Sequence, residues 1–404
     1  MKTRLEISVL NLALTLSACA ARPATPAGSA RAVAVVDAPA GAAETICATR
    51  PVEAETSTFF SSATLEPANS LDLPSNGDLW PSCTSGDALV TSWGDGFGFR
   101  SDRAGKRPDI GVGRLAGLPW IPSTLRGENF AEDTAAAQSV FRVWTRGPYY
   151  QKPTGMLCLR GRLYLAVQDL DYETYDDAPA ATIASSGDGG RTWVEAARPM
   201  FHGSVFTTIM FLDAGPEATA EPYVYAYGLD HNWRASDHML DPQGLYLARI
   251  PADHDPQSLA SWEFFSGLDA AGAPTWSHDL AAKAPVLVDC ARRHPEGRKK
   301  GYAVLGQGGV VYDAPLHRYL YTSWTEYTFE FYEAPTPWGP WRRFLSKDFG
   351  PPPWTPTNHG GYGTTIPSRF ISADGKTMWV QSNTWSSGVD HNNFALRKLV
   401  VAVP

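Results

Sequence analysis

The stretch Ser186-Gly-Asp188-Gly-Gly190-Arg-Thr192-Trp193 decides how the rest of the chain is read. Its Gly-Asp-Gly-Gly core is turn chemistry, in which an aspartate side chain accepts backbone N–H groups a few residues on. Outward from it, apolar runs alternate in the manner of strands. Leu157 to Val167 lies before it, and Phe206 to Leu212, Tyr223 to Tyr227, Leu245 to Ile250, Tyr302 to Leu305, Tyr319 to Trp324 and Met378 to Gln381 follow. Clusters of Gly, Pro, Asp and Asn separate these runs. Phe130 to Val140 is the one stretch with the pattern of a three-turn helix. Many short strands at a coarse period of about 40–60 residues predict an all-β chain folded as a β-propeller. Five units fit best, at about 70–125, 150–200, 203–267, 283–348 and 358–403; four or six blades are the neighbouring counts that the pattern admits.

A second stretch carries the candidate chemistry: Ser75-Asn-Gly-Asp78-Leu-Trp80-Pro-Ser-Cys83-Thr-Ser-Gly86-Asp87-Ala-Leu-Val-Thr-Ser-Trp93-Gly-Asp95-Gly-Phe-Gly-Phe99. Thr84-Ser-Gly-Asp87 is a turn, and Ala88 to Trp93 is β-prone, so the chain goes out and returns. Asp78 and Asp95 then share one end of the hairpin. Asp87 lies about 20–25 Å from Asp95 at ~3.3 Å per strand residue. Two facing carboxylates beside Trp80 and Trp93 are what glycoside hydrolysis requires: one group to manage a proton, one to act on water or the anomeric carbon, and flat walls for a sugar. A carboxyl separation of about 6.5–9.5 Å gives inversion and about 5–5.5 Å gives retention; inversion is the expectation here. The rest of the pocket is expected from loops rich in rings and polar groups. These loops contribute Asp230 as a third acid and His231, Trp233, Trp324, His359, Tyr362 and Trp385 as sugar contacts, with Glu326 a further carboxylate to consider.

The N-terminus predicts location. A basic start, the short apolar segment Ile7 to Leu16 and Leu16-Ser17-Ala18-Cys19 together resemble a lipoprotein signal peptide cut before Cys19. The segment is too short for a stable membrane span. The domain plan is therefore 1–19 signal peptide and lipobox, 20–54 flexible Ala/Pro-rich tether, and 55–404 one large propeller domain. The expected product is an exported monomer, lipid-anchored to a bacterial cell envelope, on the outer membrane in a Gram-negative cell. Four cysteines remain, Cys47, Cys83, Cys158 and Cys290, which allow three pairings in an oxidising compartment. They form no CxxC spacing, so no zinc site is expected, and no cofactor is implied. The acidic loop Asp169 to Asp177 lacks the glycine and terminal glutamate of a calcium-binding EF-hand loop. Aromatics make up 12% of the chain, which suits carbohydrate contact; a net charge of −8 without a basic stripe argues against nucleic acid as a partner.

Two resemblances add to this reading. Ser186 to Trp193 resembles the Asp box of sialidases and related propellers, a folding device remote from the active centre; no arginine triad accompanies Arg249-Ile-Pro251, so sialidase activity is not expected. Asp78-Leu-Trp-Pro, Ser85-Gly-Asp-Ala-Leu and Trp93-Gly-Asp95-Gly-Phe-Gly-Phe99 resemble the opening of a bacterial domain-of-unknown-function family that includes endo-D-arabinanases. Leu245 to Pro251, Ala260 to Gly267 and Tyr332-Glu-Ala-Pro335 through Trp341 extend that likeness. The last also looks like five-bladed furanosidase and arabinanase propellers. The resemblance implies a glycosidase with Asp78 and Asp95 as its catalytic pair and an arabinan as substrate. The rival expectation is a lipid-anchored propeller lectin that holds a glycan without cutting it, with the same aromatic walls but no need for paired carboxylates.

Overall fold

The computed structural model describes residues 46–66, 71–99, 107–130, 148–196, 199–215, 222–296, 300–325, 327–349, 361–386 and 389–404. The signal peptide with Cys19, the expected helix after Phe130, Glu326 and His359 lie outside the described residues, as does the side chain of Trp385.

Among the described residues the longer antiparallel pairings fall into five runs, or meanders. The third and fourth are joined into one ten-stranded sheet by a parallel pairing of Leu212 and Asp213 with Val310 and Val311, and a separate two-stranded pair lies beside them at Arg292–Arg293 and Tyr302–Ala303. The first runs through Asn76–Asp78, Ala88–Gly98, Ile110–Leu118 and Ile121–Asn129, with Ser82–Ser85 also paired to Ala88–Gly98. The second comprises Tyr149–Leu159, Arg162–Asp171, Ala180–Ser186 and Val194–Glu195. The third runs from Thr208–Asp213 through Tyr223–Leu229, Gly244–Pro251 and Glu263–Leu268 to Pro274–Ser277. The fourth comprises Gly309–Asp313, Arg318–Trp324, Thr328–Ala334 and Arg342–Asp348, and begins later than the 283 that periodicity suggested. The cause is Pro285–Val288, which pairs back onto Gly244–Pro251 and so belongs to the third.

The fifth meander, Tyr362–Thr365, Thr377–Ser386 and Ala395–Ala402, takes its outer strand from the other end of the chain. Ser62 to Leu65 pair with Ala402 to Leu399. The ring is thus closed by hydrogen bonds between early and late segments. A cavity of about 30 Å³ is lined by Ser82, Thr154, Met210, Gly309 and Thr365, one residue from each meander, and marks where the inner strands converge. This is a β-propeller.

Aromatic side chains fill the wedges between meanders. Phe201, Phe206, Trp262 and Phe264, for example, form one buried cluster between the second and third. Burying each such ring is worth roughly 1.5–3 kcal/mol. In the turn Ser186–Trp193, Asp188 Oδ1 accepts from the amides of Arg191 and Thr192 at 3.0 Å each, and Trp193 donates to the Gly190 carbonyl at 3.0 Å. The Thr192 hydroxyl and amide hold the Asp188 carboxyl well below the ordinary carboxylate range.

The expected tether corrects at its C-terminal end. From Ile46 onward the chain is fastened to the body: Cys47 is disulfide-bonded to Cys290, the Cys47 amide donates to Gln243, and the Cys290 amide donates to the Val52 carbonyl. The second disulfide, Cys83–Cys158, joins the first meander to the second.

Candidate functional site

The site starts from the hairpin of the first meander. Ser85 pairs with Ala88 across a turn at Gly86, whose φ is +60°, and Ser82 pairs with Thr91. Past Ser82 the pairing is interrupted and resumes with Asp78 opposite Gly94. The interruption has a backbone cause. Leu79, Trp80 and Asp95 all have positive φ, at 69°, 39° and 48°. This region is costly for side-chain-bearing residues, and such strain persists only where the surroundings fix it. Here the Leu79 amide donates to Asn383, the Trp80 indole to the Gly77 carbonyl, and the Asp95 amide to the Asp109 carbonyl.

These twists separate residues that an unbroken strand would place on one face. Asp78 and Asp95 turn toward a cleft, while Trp80 and Trp93 turn into the core, both fully buried with ring centroids 5.3 Å apart. The two tryptophans are therefore not sugar walls, contrary to the sequence expectation. The glycines around them have the same explanation: a side chain at Gly98 or Gly111 would collide with the Trp93 ring.

Between the two aspartates stands Lys152, from the first strand of the second meander. Its ammonium lies 2.9 and 3.1 Å from the two oxygens of Asp78 and 2.6 Å from Asp95 Oδ2. Because both contacts share one nitrogen, at 2.9 and 2.6 Å, the facing oxygens are at most 5.5 Å apart. A Cβ at Gly94 would approach Asp78 Oδ1 to 2.5 Å and Lys152 Nζ to 2.9 Å, so the glycine leaves room for this triad. Tyr150 donates to Asp95 Oδ2 at 3.2 Å, and the Tyr362 hydroxyl lies 3.3 Å from Asp78 Oδ2 and 3.0 Å from Asn392 Oδ1.

Burial pushes the Asp78 carboxyl above the ordinary carboxylate range; Lys152 opposes this and the charge on Asp95 adds to it. Burial works against charge on Lys152 too, yet Asp78 and Asp95 together hold it protonated, above the ordinary lysine value. Burial likewise raises Tyr150, with Lys152 opposing, so its hydroxyl stays a donor.

The triad opens on a cleft of about 700 Å³, walled by Tyr150, Tyr175, Trp233, Tyr302, Trp324, Tyr327 and Tyr362 and edged by Arg107, Arg234, Asp237 and His238. Among the expected sugar contacts, Trp233, Trp324 and Tyr362 are thus brought to the same cleft as Asp78 and Asp95. Trp233 and Trp324 are nearly buried and serve as its floor, their indoles donating to the Tyr175 and Gln307 carbonyls.

Asp230 and His231 are not among the residues lining that cleft, a correction to both assignments. Asp230 is paired with Lys283 at 2.9 Å and caps the Phe206 amide, a structural role. His231 sits in a left-handed turn, and burial keeps its imidazole below the ordinary value.

Sequence reading missed Lys152, Tyr150, Tyr175, Tyr302 and Tyr327. The available signal was Tyr149-Tyr-Gln-Lys-Pro153, where Tyr150 and Lys152 share a strand face. Among the described residues no group of three or more His, Cys, Asp or Glu is placed to hold a metal ion.

No protein-family model matches the chain, and no curated protein matches it. Solved structures do. A Bacteroides ovatus protein described as a candidate hydrolase superposes with a TM-score of 0.51 at 12% identity, over 81% of this chain and 87% of that one. A GH43 enzyme from Xanthomonas citri gives 0.44 at 15% identity, over 84% and 90%. The catalytic domain of a GH62 α-L-arabinofuranosidase from Coprinopsis cinerea gives 0.45 at 11% identity, over 86% and 98%. Of these three the first alone exceeds 0.5, and at 12% identity it shows a shared fold.

Proposed function

We propose that the chain is a glycoside hydrolase that acts on a furanoside-containing polysaccharide, with a D-arabinan as the first substrate to test and Asp78 and Asp95 as its working carboxylates. One observation carries the reading: two carboxylates from a strained hairpin converge on a buried lysine at the edge of a ring-lined cleft of about 700 Å³. Strain of this kind collects where function demands it, and concave sites lined by rings with a few convergent polar groups are where small ligands bind. The choice of D-arabinan rests on the sequence resemblance of the Asp78 to Phe99 stretch. Attachment to the cell envelope through Cys19 belongs to the same proposal and rests on the lipobox.

The roles follow from charge. Two carboxylates against one ammonium leave one negative charge uncompensated, and a proton on Asp78 cancels it. Asp78, buried and pushed upward, is then the general acid that protonates the leaving oxygen. Asp95 has a more exposed side chain and, in contact with the Lys152 ammonium and the Tyr150 hydroxyl, faces the anomeric carbon. Facing oxygens at most 5.5 Å apart are on the retaining side of the spacing rule, so Asp95 attacks as a nucleophile and Asp78 returns as base to activate water. The proposed stereochemistry differs from the inversion expected from sequence.

Lys152 also gives the lectin reading its one support, since an ammonium bound to both carboxylates suits a site that only holds sugar. Incubation of the mature domain with D-arabinan, L-arabinan and xylo-oligosaccharides separates the two. Asp78→Asn and Asp95→Asn should each lower release of reducing ends by roughly 10²–10⁴-fold, and Asp87→Asn, at the far end of the hairpin, should be neutral. A parent rate indifferent to both substitutions would remove the pair from the chemistry; no turnover with retained glycan binding would favour the lectin. The anomer first released, read by NMR, decides between retention and inversion.

A further inference from the structure

The segment between Arg162–Asp171 and Ala180–Ser186 holds two rings in the open. Tyr172 is 52% and Tyr175 46% exposed, in a protein that buries most of its aromatics. The segment is tightly built. Asp171 Oδ1 accepts from the amides of Glu173 and Thr174, and the Tyr175 amide donates to the Asp171 carbonyl at 3.0 Å. Tyr175 has φ of +58°, unfavourable for a bulky residue, and is held there by the Trp233 indole of the next meander, which donates to its carbonyl at 2.7 Å. What the strained backbone achieves is to put the Tyr175 ring on the cleft wall. Both exposed rings meet Tyr150 nearly edge-on, with centroids 6.4 Å away in each case, and Tyr150 donates to Asp95. A continuous aromatic path therefore runs from the carboxylate pair to the rim.

We propose that Tyr172 and Tyr175 form a stacking platform for an uncharged oligosaccharide chain, a binding subsite at the mouth of the cleft that lengthens the site outward from Asp95; this deepens the hydrolase reading and rests on it. Sugar rings present C–H faces that lie on exposed tyrosine rings, and a preformed platform binds without ordering cost. The class of chain follows from the charges alongside. Arg107 also edges the cleft, but Asp171 and Glu173 flank the two rings themselves. The neighbouring Arg234 is engaged with Asp176 at 3.3 Å, so on the platform a polyuronate meets like-charged carboxylates and a neutral polymer meets no such repulsion.

The test uses calorimetric titration in an Asp78→Asn background, where substrate consumption is slowed by roughly 10²–10⁴-fold. The probes are ladders of about two to eight units of arabinofuranose, xylose and, as the anionic control, galacturonate. Affinity for a neutral ladder should rise with length. Tyr172→Ala and Tyr175→Ala should each weaken the long members by about three- to tenfold and leave the disaccharide unchanged. Tyr175→Phe keeps the ring and should behave as the parent. Tyr172→Ala leaves the left-handed position untouched, so a folding defect at Tyr175 does not decide the outcome.

The platform is overturned by long-chain affinity that ignores both alanine variants, by an equal loss at every length, or by neutral ladders that do not bind. If the parent shows no turnover while the length pattern appears and both alanine variants abolish it, the hydrolase reading fails and the platform stands.

Discussion

Lys152 couples two carboxylates that belong to a different meander, and its removal is the sharpest test of how they share charge. Its ammonium holds Asp78 down against burial and against Asp95. In Lys152→Met the Asp78 carboxyl should therefore rise further. If Asp78 is the acid, the alkaline limb of the kcat–pH profile should move to higher pH while the rate falls by roughly 10–100-fold, as Asp95 loses its counter-ion. A profile that keeps its limb in place would take Asp78 out of the acid role. A second carboxylate reports on stability alone. Asp313 is buried, its Oδ2 has no partner, and burial raises it to about 7. A folded value above the unfolded one means that the native state holds the proton more tightly. The stability this brings is complete below about pH 4 and is lost as pH rises through about 7. Asp313→Asn, which mimics the protonated form, should match the parent near pH 4 and exceed it by roughly 2 kcal/mol at pH 8. Denaturant midpoints at the two pH values measure this, and parallel curves would show that Asp313 is not the titrating group.

The Ser186–Trp193 turn is a local device, and its effects should stay local. Asp188 gathers four bonds within the turn, from Ser186, Arg191 and both the amide and hydroxyl of Thr192. Asp188→Ala should lower stability by about 1–2 kcal/mol, through a turn that loses its acceptor, without changing kcat, because the turn lies at the outer edge of its meander, away from the residues lining the cleft. A thermal melt and a turnover assay on one preparation check both halves. This turn was legible in the sequence because its pattern fixes its own hydrogen bonds. The hairpin of the first meander was legible for the same reason, since Thr84 to Asp87 sets the turn. The faces of Trp80 and Trp93 were not. Period-2 alternation places residues 78 and 80, and 93 and 95, on common faces, and the positive φ values at Leu79, Trp80 and Asp95 break that rule. Nothing local announces the values at Leu79 and Asp95, because Asn383 and Asp109, which hold them, come from elsewhere in the chain.

Ring closure explains what was hidden at the largest scale. Ser62 to Leu65 is too short to show alternation, yet it completes the fifth meander against Ala402 to Leu399. Lys152 reaches the aspartates only because the second meander packs beside the first. Register between those two meanders is therefore a property of the whole molecule on which the site depends, and the disulfides separate it from stability. Cys83–Cys158 spans 75 residues and ties Ser82–Ser85, in the Asp78–Asp95 hairpin, to Tyr149–Leu159, the strand of Lys152. Cys47–Cys290 spans 243 residues and fastens the N-terminal segment near Gln243, and neither cysteine lies on a strand that carries the triad. Loop-closure entropy grows only slowly with length, so losing either bond should cost a similar ~2–5 kcal/mol. Their effects on turnover should differ. Cys83→Ala with Cys158→Ala frees the strand that positions Lys152 and should reduce kcat at a temperature where the protein is still folded. Cys47→Ala with Cys290→Ala should lower the melting temperature by a similar amount and leave kcat at the parent value. Equal kcat in the two double variants would mean that packing of Tyr149–Leu159 against the first meander is enough to hold Lys152 between Asp78 and Asp95.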